Sequence, residues 1–191
     1  MAERLFAAVI PPAALVDALE AFIGPRRDQT PPWRWVRPET WHITLAFLGD
    51  VDDDRRDALS ENLGAIKAAG FPIRMGGAGA FRREDIRDPG GDLPGLKAKV
   101  VWMGASADEL APLSANVRAA ASRAGVRPDG SKFQAHITLA RSRKPAPARG
   151  LLDVVASFGS FDFQADAFHL VKSTLTPSGS VYDVVETWPL G

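Results

Sequence analysis

The 191-residue chain contains no cysteine. Disulfides, thiolate nucleophiles and thiolate metal sites are therefore excluded, and the absence fits a reducing compartment without proving one. It also has no excess charge: Lys+Arg and Asp+Glu are both 23. That argues against a globally basic coat for nucleic acid, while leaving room for a small patch aimed at one phosphate. Long apolar runs are missing as well. The stretch Leu5 to Leu15 is short and holds two prolines, so no segment is expected to span a membrane. The first residues, Met1-Ala2-Glu3-Arg4, run into an apolar stretch with no basic lead or cleavage site, so a cytoplasmic protein is expected. Histidine is scarce, at three. What is present, 46% hydrophobic and 24% charged residues, is the profile of a globular protein. A chain of this size can bury about 70% of its unfolded surface without staples.

Strand and helix signals alternate along the chain. Leu5–Ile10 predicts a buried strand. Pro12 opens a helix over 13–23, with Leu15, Leu19, Phe22 and Ile23 at helical spacing, and Gly24-Pro25 stops it. Trp41–Leu48 predicts a strand. Asp52–Asp54 suit the start of a helix that carries Leu59, Leu63 and Ile66 to near Gly70. Phe71–Phe81 and Lys99–Gly104 predict strands around a charged Gly/Pro loop at 82–96. Ser106 and Glu109 match a capping box ahead of a helix through Leu110, Leu113, Val117 and Ala121. Ala135–Ala140 predicts a strand, Pro145-Ala-Pro147 a loop, and 148–157 a short helix. Phe161–Phe163, Ala167–Ser173 and Val181–Trp188 close the chain as strands, the last two joined by a turn at Thr176–Gly179.

The chemistry lies in an internal repeat. His42-Ile-Thr44-Leu-Ala46 recurs as His136-Ile-Thr138-Leu-Ala140. With a match probability of about 0.07 per position, chance gives this roughly once in ten thousand such chains. On a strand, alternate side chains share a face. His42 and Thr44 then face one way and Ile43 and Leu45 the other, and the second copy behaves alike. Two such polar faces brought together make a cleft with two imidazoles and two hydroxyls. Imidazole titrates near ~6.5, so one can act as base and the other as acid. Two hydroxyl donors can hold a phosphate between them. No carboxylate or cysteine sits at ligand spacing, so no metal or cofactor is expected. The third histidine, His169, has no twin and is read as a strand residue. Trp33, Trp35 and Trp41 suit either the mouth of the cleft or the core. Arg141, Arg143, Lys144 and Arg149 form a basic run, open to solvent or to an RNA backbone.

The paired motifs resemble those of the two-histidine (2H) phosphoesterases, and among these the LigT-like RNA 2',3'-cyclic phosphodiesterases, also called 2'-5' RNA ligases. The similarity runs along nearly the whole chain. It takes in Arg4–Pro12, Arg34–Glu39 with Trp41–Gly49, Val100–Gly104, Phe133–Arg141, and the closing Ser173–Leu175 with Gly179 and Tyr182. The resemblance implies an α+β fold: one domain over 1–191, bilobal with pseudo-twofold symmetry, two antiparallel sheets, outer helices and a central cleft. It implies metal-independent hydrolysis of an RNA terminal 2',3'-cyclic phosphate to a 2'-phosphate, with reversible 2'-5' ligation. By the same resemblance His42 protonates the departing 3' oxygen and His136 activates water. Thr44 and Thr138 hold the non-bridging oxygens, and Arg141 adds charge. Strict alternation puts Arg141 and Phe47 on the wrong face. Arg141 would need a strand end, a bulge or its arm length to reach the cleft, whereas Phe133, ahead of the strand, is placed to stack on a base. Ala135 stands where the family often has proline, Trp41 where it often has a small aliphatic residue. The other readings are a small cyclic nucleotide substrate, such as ADP-ribose 1'',2''-cyclic phosphate, and a non-catalytic module binding RNA ends or nucleotides. A monomer is expected.

Overall fold

The computed structural model describes residues 2–82, 96–177 and 179–191. The element order is β1 (Glu3–Val9), α1 (Ala13–Ile23), β2 (Arg34–Trp35), β3 (Ile43–Val51), α2 (Asp53–Gly64), β4 (Phe71–Arg82), β5 (Lys97–Ser106), α3 (Leu110–Arg123), β6 (His136–Pro147), α4 (Arg149–Ala156), β7 (Ser160–Ala165), β8 (Ala167–Thr176) and β9 (Gly179–Pro189). All strand pairs are antiparallel, in the order β7-β4-β5-β6-β3-β1-β8-β9, with β2 paired to β6. The fold is α+β. The path divides into two four-stranded halves, β9-β8-β1-β3 and β6-β5-β4-β7, and one register pair, Ile43↔Ile137, joins them. The two expected sheets are thus the halves of one nine-stranded sheet, joined at this pair.

That point is a pseudo-twofold axis, and the repeat obeys it residue by residue. In the first half Ala8 faces Thr44, Ala7 faces Ala46 and Phe6 faces Phe47. In the second, Trp102 faces Thr138, Val101 faces Ala140 and Val100 faces Arg141. Just after its motif threonine each strand therefore carries an extra residue, Leu45 or Leu139, a β-bulge that reverses the alternation over the residues that follow. The burial pattern agrees. Ile43, Leu45 and Leu48 are buried in the core, as are Ile137 and Leu139, and both bulges bury two consecutive residues, Leu45-Ala46 and Leu139-Ala140. Bonds from outside the ladder secure the bulged carbonyls: Ser114 Oγ donates to Leu45 O at 2.6 Å, and Val36 N to Leu139 O at 2.8 Å.

Helices cover the outer faces. α2 packs on α3 and on β9, and α3 packs on β3, burying Leu110, Leu113, Val117 and Ala121. α4 packs on β4 and β5. α1 buries Leu15, Leu19 and Ile23, and its Phe22 meets Phe158 edge-on at 5.3 Å just past α4. Two local expectations are corrected. Ser106 ends β5 and its hydroxyl donates to Arg74 O, so there is no capping box; α3 starts at Leu110 with no side-chain cap. Pro145-Ala-Pro147 is not a separate loop, because β6 runs through it after a second irregularity. The loop expected at 82–96 lies almost wholly outside the described residues, as does Ser178 of the closing turn. None of the described helices is long and apolar enough to cross a membrane.

Candidate active site

The polar face of each motif strand opens into one cleft of about 1010 Å³. His42, Thr44, His136, Thr138, Arg141 and Phe133 all line it, so every site residue read from the sequence comes together. The register at Ile43↔Ile137 places each histidine beside the threonine of the other motif, His42 toward Thr138 and Thr44 toward His136. Neither threonine hydroxyl is bonded to another described residue.

The imidazoles are held in the same way. His42 Nδ1 lies 2.7 Å from Thr40 O, and His136 Nδ1 lies 2.6 Å from Gln134 O. A carbonyl can only accept, so Nδ1 carries the hydrogen and Nε2 is left for the cleft. The 3-10 turn Pro38–Thr40 presents the first carbonyl. Aromatic rings wedge both imidazoles. Phe6 and Tyr182 flank His42 at 4.7 and 5.3 Å between ring centres. Phe81 and Trp102 flank His136 at 4.9 and 5.6 Å.

Burial among these rings sets the charge. It pushes His42 down to about 4, against the Thr40 carbonyl, which favours the charged form; the positive fields of His136 and Arg141 lower it further. His136 is lowered too, by burial first, against the Gln134 carbonyl, which favours the charged form, and with the Arg141 charge lowering it further. The Arg141 guanidinium thus acts on both imidazoles from the lining of the same cleft. The Leu139 bulge is what turns it inward.

The equivalent bulge at Leu45 corrects a second expectation. Phe47 faces the cleft, half exposed at 49%, at the position where the other motif carries Arg141. Its carbonyl accepts from Asp129 N at 3.0 Å. That bond ties Phe47 to the segment carrying Lys132 and Phe133, whose backbone Arg118 also holds through its contact with Asp129. Phe6, Trp102 and Tyr182 fell within the stretches that resemble the family but were given no role in the site, and Phe81 was legible only as a strand residue. Tyr182 had one further sign: it is the single tyrosine of the chain. The three tryptophans open to two readings do not line the cleft. Trp33 and Trp41 are buried in the core, and Trp35 packs against it with its Nε1 donating to Thr30 Oγ1. His169 is a β8 residue whose Nδ1 lies 2.9 Å from Thr187 Oγ1, away from the cleft.

Two H-x-T strands facing one cleft across a pseudo-twofold axis define a two-histidine phosphoesterase. The LigT like Phosphoesterase family matches residues 10–89 and 101–182, and the chain belongs to it. Among curated relatives, the RNA 2',3'-cyclic phosphodiesterase of Thermus thermophilus is 32% identical over 200 residues, covering 98% of this chain and 90% of that protein. The protein of that name from Aquifex aeolicus is 30% identical over 164 residues, covering 83% of this chain and 82% of that protein. The crystal structure of Escherichia coli LigT complexed with 3'-AMP superposes with a TM-score of 0.74 at 26% identity, covering 100% of this chain and 99% of that one.

Proposed function

We propose that this enzyme opens the 2',3'-cyclic phosphate at an RNA 3' end to a 2'-phosphate, using His42 and His136 as an acid–base pair and no metal ion. The observation that most supports this is the matched tautomer of the two imidazoles, each with Nδ1 bonded to a carbonyl and Nε2 free for the cleft. The curated relatives carry the same substrate in their names, and one structural relative was crystallised with 3'-AMP. In this reading His136 Nε2 takes the proton of a water. The water oxygen bonds to phosphorus, the P–O3' bond breaks, and His42 delivers a proton to O3'. Thr44, Thr138 and Arg141 hold the non-bridging oxygens, where charge builds in the transition state. A 5'-hydroxyl in place of water gives a 2'-5' linkage by the same displacement. The guanidinium that acts on both imidazoles also opposes a second cation between them, which favours the metal-free route.

Burial keeps both imidazoles neutral in the free cleft near pH 7. The anionic substrate supplies the negative charge that lets His42 hold its proton. The test is hydrolysis of a short RNA ending in a cyclic phosphate, in EDTA, with the product position identified. A 2'-phosphate is expected. His42→Ala and His136→Ala should each lose on the order of a hundredfold or more in rate with the fold intact. A p-nitrophenyl phosphodiester separates the roles, because its leaving group needs no proton. His42→Ala should regain most of its rate on that substrate and His136→Ala should not. The opposite pattern would exchange the two roles, and a rate lost in EDTA and restored by zinc would end the metal-free reading.

A further inference from the structure

Past Arg141, β6 leaves its neighbour's ladder. Val100 pairs with Arg141 and Ala98 with Ala146, so the single residue Lys99 faces the four residues 142–145. This larger irregularity pushes Arg143 and Lys144 outward, both exposed. They help to wall a separate groove of about 490 Å³, lined also by Arg34, Ser142, Pro145 and Pro147 of β6, and Pro32 just ahead of β2. Arg34 of β2 is the register partner of Arg141. Like charges directly opposite on paired strands repel. Among the described residues, none of Arg34, Arg141, Arg143 and Lys144 has a carboxylate partner. Four cations without a carboxylate partner among the described residues, on one two-stranded ribbon of a chain of zero net charge, form a local site for polyanions.

We propose that this groove is a second phosphate-binding site, which takes the internucleotide phosphates just upstream of the reacting RNA end. The proposal rests on the RNA-end reading. It adds that the enzyme gains affinity from the body of the RNA. The geometry supports this: three residues of strand from Arg141 to Lys144 span at most about 10 Å, so the cleft and the groove follow one line of backbone. Phosphate contacts of this kind position a strand without reading its bases.

The test compares a nucleoside 2',3'-cyclic monophosphate with an octaribonucleotide ending in the same cyclic nucleotide. The proteins are wild type and the double variant Arg143→Ala/Lys144→Ala. The variant should lose about tenfold in kcat/KM on the octamer, through KM, and keep its rate on the mononucleotide. The salt dependence of log KM on the octamer should flatten by about one to two. Equal losses on both substrates, or no loss on either, would overturn the proposal. If wild type turns over neither substrate, the catalytic reading fails instead, and fluorescence anisotropy of the labelled octamer decides the groove. Weaker binding by the variant would support the site, and equal binding would reject it.

Discussion

A neutral imidazole is the resting form of His42, with consequences for both rate and stability. Its value in the fold, about 4, lies below the ordinary 6.5, so the unfolded chain binds the extra proton first. As pH falls from about 6.5 toward 4 the unfolded state gains protons that the folded state refuses, and stability drops across that window. Denaturant titrations at pH 7 and 4.5 should show a smaller drop for His42→Gln than for wild type; equal drops would mean that His42 is not held neutral. In turnover, kcat/KM reports the free enzyme and kcat the bound complex. With both imidazoles lowered, the bell of kcat/KM should centre below 6.5, and the bell of kcat should lie to its alkaline side once the phosphate anion is bound. The two histidines and two threonines were legible because repetition marked them. The faces of Arg141 and Phe47 were not, since strict alternation assigns both to the core side and only the bulges reverse it. The adjacent apolar pairs Leu45-Ala46 and Leu139-Ala140 were the one trace of those bulges in the sequence.

Strands and helices were legible wherever apolar periodicity was long, as in α1 and α3. They were misread where a side chain found a tertiary partner: Ser106 bonds Arg74 across the β5–β4 ladder instead of capping α3. At this scale the Leu45 bulge depends on α3. Ser114 is buried, and its hydroxyl holds the carbonyl of the extra residue. Ser114→Ala leaves that acceptor without its donor, which should cost about 1–3 kcal/mol by chemical denaturation. If the bulge then relaxes, KM should rise with little change in kcat, as Phe47 turns from the cleft. On the other side, the Trp102 indole lies across Gly79. A Cβ there would overlap the ring, so Gly79→Ala must displace the indole from His136. Overpacking of this kind costs about 1–3 kcal/mol, and the loss should appear in both the thermal midpoint and the rate.

Taken whole, the molecule does not divide where its sequence repeat does. One half is built from both ends of the chain, β1 and β3 with β8 and β9, and the other from the middle. Leu5 pairs with Lys172, so the first strand waits for almost the last. Such non-local pairing is slow to form. Stopped-flow refolding followed by tryptophan fluorescence should fall in the millisecond-to-second range typical of high contact order, and a microsecond phase carrying the full amplitude would contradict that view. The opposed placement of His42 and His136 about the central axis also bears on handedness at phosphorus. If the proposed acid and base stand on opposite sides of the phosphate, the entering and departing oxygens should be collinear, and one displacement should turn the phosphorus inside out. A cyclic phosphorothioate of known configuration, opened in isotopically labelled water, should emerge inverted, whereas retention would reveal two successive displacements through a covalent phospho-enzyme.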